Sequence, residues 1–197
     1  MKKLLLSIQE LKKSQIKNIV NKRLKEFSKI RSKNELFKEL CFCILTANSN
    51  AERCIYVQNK IGNGFLTLPK EKLQKMLKEH GARFHTKRAG YIVEARKHKN
   101  ELKDKERDWL VKNIKGIGYK EASHFLRNTG YKNAAIIDFH IIDLLAKNNL
   151  IKRPKTLAKN DYLEIEDKLN LIAKKANLNL AELDLYLWYM ETGKVLK

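Results

Sequence analysis

Apolar residues recur along this chain at three- and four-residue steps between lysine-rich polar positions, the period of an amphipathic helix rather than a strand. In the first segment Ile8, Leu11, Ile16, Ile19, Val20, Leu24 and Phe27 form one such stripe. A second helix is expected over Leu36, Phe37, Leu40, Cys43, Ile44 and Ala47, and its density of apolar residues marks it as a central element. Further helices are predicted over about 51–61, 70–80, 87–99 and 106–113, then over about 120–129, 138–149, 160–176 and 180–192. Pro69 suits the opening of a helix, where no amide donor is needed. Gly81 suits the left-handed residue that closes the same helix. Only Ala134-Ala135-Ile136-Ile137 is apolar without helical spacing, and it is too short to build a sheet. The fold class expected is all-α.

Composition changes this picture in one respect. The chain has 197 residues, enough for one compact domain or two small interleaved ones, and 43% hydrophobic with 32% charged residues is a soluble globular balance. Lys and Arg number 42 against 22 acidic residues, a net charge of +20. A thermophile surface would be rich in both Lys and Glu, so this imbalance points to a polyanionic partner, nucleic acid before anionic membrane. Three cysteines, Cys41, Cys43 and Cys54, show neither a disulfide framework nor metal-ligand spacing, as expected in a reducing cytoplasm. The opening Met1–Ile8 briefly imitates a signal peptide, but its apolar run stops at Gln9-Glu10. No run approaches a membrane span. A soluble cytoplasmic protein is expected.

The stretch Asn113-Ile114-Lys115-Gly116-Ile117-Gly118-Tyr119-Lys120-Glu121-Ala122 carries the chemistry. A helical pattern ends, two glycines flank one apolar residue, and a new helix begins. Glycines let the main chain turn tightly and approach another surface, and a tight turn before a helix aims amide donors outward as phosphate-binding loops do. Taken alone, Gly-x-Gly is an ordinary helix–helix turn. Lys120 falls in the first turn of the new helix, where the positive end of the helix dipole disfavours a cation and favours the neutral, nucleophilic amine. Position alone leaves Lys120 open between nucleophile and phosphate contact.

With its flanks the stretch resembles the helix-hairpin-helix motif of the DNA glycosylase superfamily, apolar-Pro-Gly-apolar-Gly-x-Lys-x-Ala in its lysine-bearing form, with Lys115 where proline is common. That superfamily also has an aspartate after the hairpin at about the spacing of Asp138, which lies eighteen residues beyond Lys120 in Ile136-Ile137-Asp138-Phe139-His140. Asp138 also reads as a helix cap. The two roles are compatible, because a partly buried cap is held rigidly. The run from Gly116 to Gly130, Leu45-Thr46-Ala47-Asn48, Gly62-x-Gly64-Phe65 and Asp184-Leu185-Tyr186-Leu187-Trp188-Tyr189 are similar to the compact archaeal and bacterial, second-type 8-oxoguanine DNA glycosylases. Two departures stand out: Phe139 replaces a common arginine, and the stretch between Lys97 and Trp109 is short. Three cysteines before residue 55 cannot make a four-cysteine iron–sulfur site, which counts against the endonuclease III-like branch.

The resemblance implies two interleaved helical subdomains, about 1–34 with 133–197 and about 35–132, with the DNA cleft between them. It implies a monomer acting on double-stranded DNA that contains 8-oxoguanine. The base is flipped and excised through a Schiff base on Lys120, with Asp138 assisting, and the strand is cut by β-elimination. Gly116 and Gly118 would hold a phosphate, hairpin carbonyls could coordinate a monovalent cation, and no redox cofactor or other metal is expected. Asn48 matches the position that fills the void left by flipping, against a simple helix-end role. Arg83 and Phe84 could contact the orphan base, against a solvated loop; Lys87 and Arg88 suit phosphates. Trp188 could stack on the flipped purine rather than serve as core, and Lys197 could reach the base pocket. His124 and His140 read as structural. The rival readings are a glycosylase for another lesion and a non-catalytic helix-hairpin-helix DNA-binding module.

Overall fold

The computed structural model describes residues 1–29 and 31–197, and among them every regular element is helical. They divide into two compact units, one of Met1–Lys29 with Leu126–Lys197 and one of Ile30–Phe125.

In the first unit the N-terminal stripe forms two helices, α1 (Lys2–Lys13) and α2 (Ile16–Phe27), where the apolar pattern predicts one. The apolar step from Leu11 to Ile16 is five residues, which slips the helical phase. Ser14 sits at that slip: its hydroxyl donates to the Leu11 carbonyl at 2.9 Å and accepts from the Ile16 amide at 3.2 Å. A serine that satisfies backbone groups locally competes with helix continuation. Ile19, counted on the buried stripe, is exposed. Ile16, Val20 and Phe27 instead pack with Leu185 and Tyr186. The unit is completed by α10 (Phe139–Lys147), α11 (Lys159–Ala176) and α12 (Leu180–Thr192).

The second unit is built around α3 (Lys33–Thr46), whose residues from Leu36 to Thr46 are all buried except Lys38. It starts with a capping box, Glu35 N–H on the Ser32 hydroxyl at 3.3 Å and Ser32 N–H on the Glu35 carboxylate at 2.7 Å. Around it lie α4 (Ala51–Ile61), α5 (Gly64–Thr67), α6 (Lys70–Glu79), α7 (His85–Ala95) with a short 3-10 turn after it, α8 (Arg107–Asn113) and most of α9 (Tyr119–Asn128). Fully buried Phe37, Phe42 and Phe65 each contribute about 1.5–3 kcal/mol relative to exposure. Pro69 caps α6, and Gly81 closes it at φ +78°, with Ala82 N–H returning to the Leu77 carbonyl at 2.8 Å.

The Ala134–Ile137 run is neither helix nor strand, yet it is buried. Three of its backbone groups are taken up by α11. Ala135 N–H donates to Glu166 Oε1 at 2.8 Å, the Tyr162 hydroxyl donates to the Ala135 carbonyl at 2.6 Å, and Ile137 N–H donates to the Tyr162 oxygen at 3.3 Å. Side chains thus do the work a neighbouring strand would otherwise do. The braced segment leads directly into Asp138.

Candidate active site

The hairpin joins α8 to α9 through 114–118. Ile114 and Ile117 are buried and anchor it, with Ile117 N–H on the Ile114 carbonyl at 3.3 Å. Gly116 has φ +81°, and a Cβ there would collide with the Tyr91 ring, so both torsion and space demand glycine. The two helices are also tied by side chains. The Tyr119 hydroxyl bonds to the Asp108 carboxylate, Arg107 lies 5.0 Å over the Tyr119 ring, and it reaches the Ser123 hydroxyl at 3.2 Å.

Lys120 is in the first turn of α9, with 22% of its side chain exposed. Its Nζ lies 3.5 Å from Glu121 Oε1, while Glu121 Oε2 accepts the Gly118 N–H at 3.2 Å. One hairpin amide expected to face a phosphate therefore holds a carboxylate of this chain. Glu121 was not singled out by the sequence reading, although a glutamate three residues after Gly118 is one half of a capping box and could have been. Cys54 of α4 is a second neighbour missed, close enough to Lys120 and Arg88 for both cations to favour its thiolate. Burial outweighs them and pushes the thiol up to about 11.

The loop after α3 places Asn48 exposed in the left-handed region, φ +49°. Arg83 donates to the Asn48 carbonyl at 2.7 Å; Arg83, Phe84 and Lys87 are all exposed. Phe84 is itself left-handed, φ +52°, at the start of α7. Arg88 departs from expectation. It is 4% exposed and donates to the Ser49 hydroxyl at 2.9 Å and to the Ala47 carbonyl, so it is a buried brace rather than a surface phosphate contact.

In the other unit Asp138 caps α10, its Oδ1 accepting the Ile141 amide at 3.0 Å. Phe139 is exposed and stacks at 4.0 Å on His140, which meets Trp188 edge-on at 5.0 Å. Trp188 is half-buried, and its indole Nε1 is buried without a hydrogen-bond partner among the described residues. Lys197 is half-buried. His124 is buried edge-on against Phe42 at 5.4 Å. Among the described residues no three His, Cys, Asp or Glu side chains converge as a metal site requires, and no helix is long and apolar enough to cross a membrane.

The 8-oxoguanine DNA glycosylase family profile matches residues 20–178, a span that holds the hairpin, Lys120 and Asp138. The chain belongs to this family. A Methanocaldococcus jannaschii protein named 8-oxoguanine DNA glycosylase/AP lyase is 56% identical to it, covering 98% of this chain and 99% of the relative. A Korarchaeum cryptofilum protein of the same name is 50% identical over 96% of each chain. Among solved structures, the M. jannaschii glycosylase/lyase in complex with a 15mer DNA containing 8-oxoguanine matches with a TM-score of 0.95 at 56% identity, over 98% of this chain and 99% of that one. The 8-oxoguanine DNA glycosylase of Thermotoga maritima matches equally well, TM-score 0.95 at 42% identity, over 100% and 99% of the two chains. The all-α helix-hairpin-helix glycosylase fold expected from the sequence is the fold of this family member.

Proposed function

We propose that this protein is an 8-oxoguanine DNA glycosylase and AP lyase. The observation that carries the reading is Lys120, held three-quarters buried in the first turn after the hairpin, in a chain that matches the glycosylase solved on 8-oxoguanine DNA over 98% of its length. The net charge of +20 supplies attraction to the phosphate backbone. The damaged nucleotide is extruded from the stack, and Asn48 fills the space it leaves. Neutral Lys120 Nζ attacks C1′ and forms the N–C1′ bond. The C1′–N9 bond breaks and the base leaves with the electron pair and a proton. Opening of the sugar ring gives a Schiff base; loss of a C2′ proton then expels the 3′-phosphate. Asp138 receives the proton that Lys120 loses on attack, passes it to the departing base, and stabilises the positive charge that develops on the sugar.

Phe139, His140 and Trp188 offer stacking surface for the purine, and Lys197 contributes a contact to it. Lys87 meets a phosphate, and Arg83 with Phe84 meets the orphan base. Hairpin amides hold a phosphate, Glu121 giving up the Gly118 amide as DNA arrives. The Ile114 and Gly118 carbonyls each accept one amide and keep a second lone pair, which suits them to a weakly held monovalent cation. No redox cofactor takes part. The protein acts as a monomer in the cytoplasm, on the chromosome.

The test is borohydride trapping on duplex DNA with one 8-oxoguanine. Wild type, Lys120→Gln and Asp138→Asn are compared beside undamaged and thymine-glycol duplexes. A covalent complex that needs 8-oxoguanine and vanishes with Lys120→Gln is expected. Trapping only on thymine glycol would change the substrate and keep the mechanism. Salt-sensitive binding with no trapping on any duplex would leave a binding module.

A further inference from the structure

Residues 47, 48 and 49 are each gripped by an arginine, Arg83 just before α7 or Arg88 in its first turn. Arg88 donates to the Ala47 carbonyl and, through NH1, to the Ser49 hydroxyl at 2.9 Å. Arg83 NH1 donates to the Asn48 carbonyl at 2.7 Å. Both guanidinium groups lie over the Phe84 ring, at 5.1 Å for Arg83 and 5.3 Å for Arg88. Between these holds Asn48 keeps a left-handed backbone with its side chain in solvent. A non-glycine residue persists there only where its surroundings over-determine it. A guanidinium 4% exposed is costly unless its donors are used, and those of Arg88 face the loop. So placed, Arg88 is not available to neutralise a phosphate.

We propose that Arg88, with Arg83, is a positioning residue that fixes the Asn48 loop before DNA arrives, so that Asn48 meets the opened stack without a search. This rests on the void-filling role given to Asn48 above. Ordering the loop in advance removes that cost from the extrusion step. The clamp acts only where a stacked base must leave the helix. A preformed abasic site has no base to extrude, yet uses the same Lys120 chemistry.

The experiment measures single-turnover rates of wild type, Arg88→Gln, Ser49→Ala and Asn48→Ala on two duplexes, one with 8-oxoguanine opposite cytosine and one with a preformed abasic site. A 2-aminopurine beside the lesion reports unstacking. Arg88→Gln is expected to slow excision at least ~10-fold, given that an ångström of misplacement can cost ~100-fold. Abasic-site cleavage should stay within about twofold of wild type, and the 2-aminopurine signal should fall with excision. Ser49→Ala, which removes the hydroxyl that accepts from Arg88, shows the same pattern more weakly and covers the case in which Arg88→Gln folds poorly. Equal losses on both duplexes, for both Arg88→Gln and Ser49→Ala, would make the clamp purely structural and overturn the proposal. An unchanged Asn48→Ala would overturn it while leaving the glycosylase reading intact. A wild type inert on both duplexes would remove that reading and the clamp with it.

Discussion

Lys120 Nζ and Glu121 Oε1 lie 3.5 Å apart in the first turn of α9, and the other oxygen of the same carboxylate accepts the Gly118 amide at 3.2 Å. Glu121 therefore does two separable things: it caps the helix and it faces the lysine with a negative charge. Glu121→Gln keeps an oxygen for the amide and removes the charge, whereas Glu121→Ala removes both. Losing a cap costs about 1 kcal/mol. Urea denaturation is expected to show that loss in the alanine variant and little of it in the glutamine variant. Equal losses in both would mean that the charge, not the cap, supports the hairpin.

Gly116 and Gly90 make opposite demands on an added methyl group. At Gly116 a positive φ of +81° coincides with a clash against the Tyr91 ring. At Gly90, inside α7, an added Cβ meets only Lys70 Cε at 3.7 Å, an ordinary contact. Gly116→Ala is expected to destabilise by about 1–2 kcal/mol from the torsion alone, more with the ring displaced, and to weaken DNA binding. Gly90→Ala should stabilise by about 0.5–1 kcal/mol. Thermal melts of the two variants check the contrast, and a harmless Gly116→Ala would mean the hairpin tolerates another path.

The helices and the hairpin were legible in the sequence because both are written locally, one as apolar period and one as Gly116-Ile117-Gly118 before Lys120. The division of the first segment at Ser14 was legible too, in the five-residue step from Leu11 to Ile16, but averaging over a long stripe hides one slip. Asp138 was readable as a cap from its place after Ile136-Ile137. Arg88 was not: an arginine in a basic helix start looks like its exposed neighbour Lys87, and only folding turns it inward against Ala47 and Ser49. Tyr162 and Glu166, which brace the segment before Asp138, lie more than twenty residues away from their partners. No spacing rule connects them.

Cys54 supplies a pH dependence whose sign is fixed by burial. Its thiol is buried, donates to the Leu45 carbonyl at 3.1 Å, and is pushed from 9.0 up to about 11. The folded chain thus keeps a proton that the unfolded chain loses earlier. The resulting stabilisation is complete below the unfolded value and is lost as pH rises through the folded one. Wild type minus Cys54→Ala in unfolding free energy should therefore shrink between about pH 9 and about pH 11. A difference constant across that range would contradict a buried protonated thiol.

Tyr162 offers the clearest separation of support from chemistry. Its hydroxyl donates to the Ala135 carbonyl at 2.6 Å and accepts the Ile137 amide at 3.3 Å, one residue before Asp138. Tyr162→Phe keeps the ring in the core and leaves those two buried backbone groups to Glu166, which reaches only the Ala135 amide. A buried group left unsatisfied costs about 1–3 kcal/mol, so a loss of about 2 kcal/mol is expected in urea denaturation. If the brace also sets where Asp138 stands, single-turnover excision should fall on the order of 10-fold at temperatures where the variant is fully folded. DNA affinity, which draws on the spread of positive charge, should hardly move. A variant that loses the stability but excises at the wild-type rate would show that the cap at Ile141 alone holds Asp138 in place.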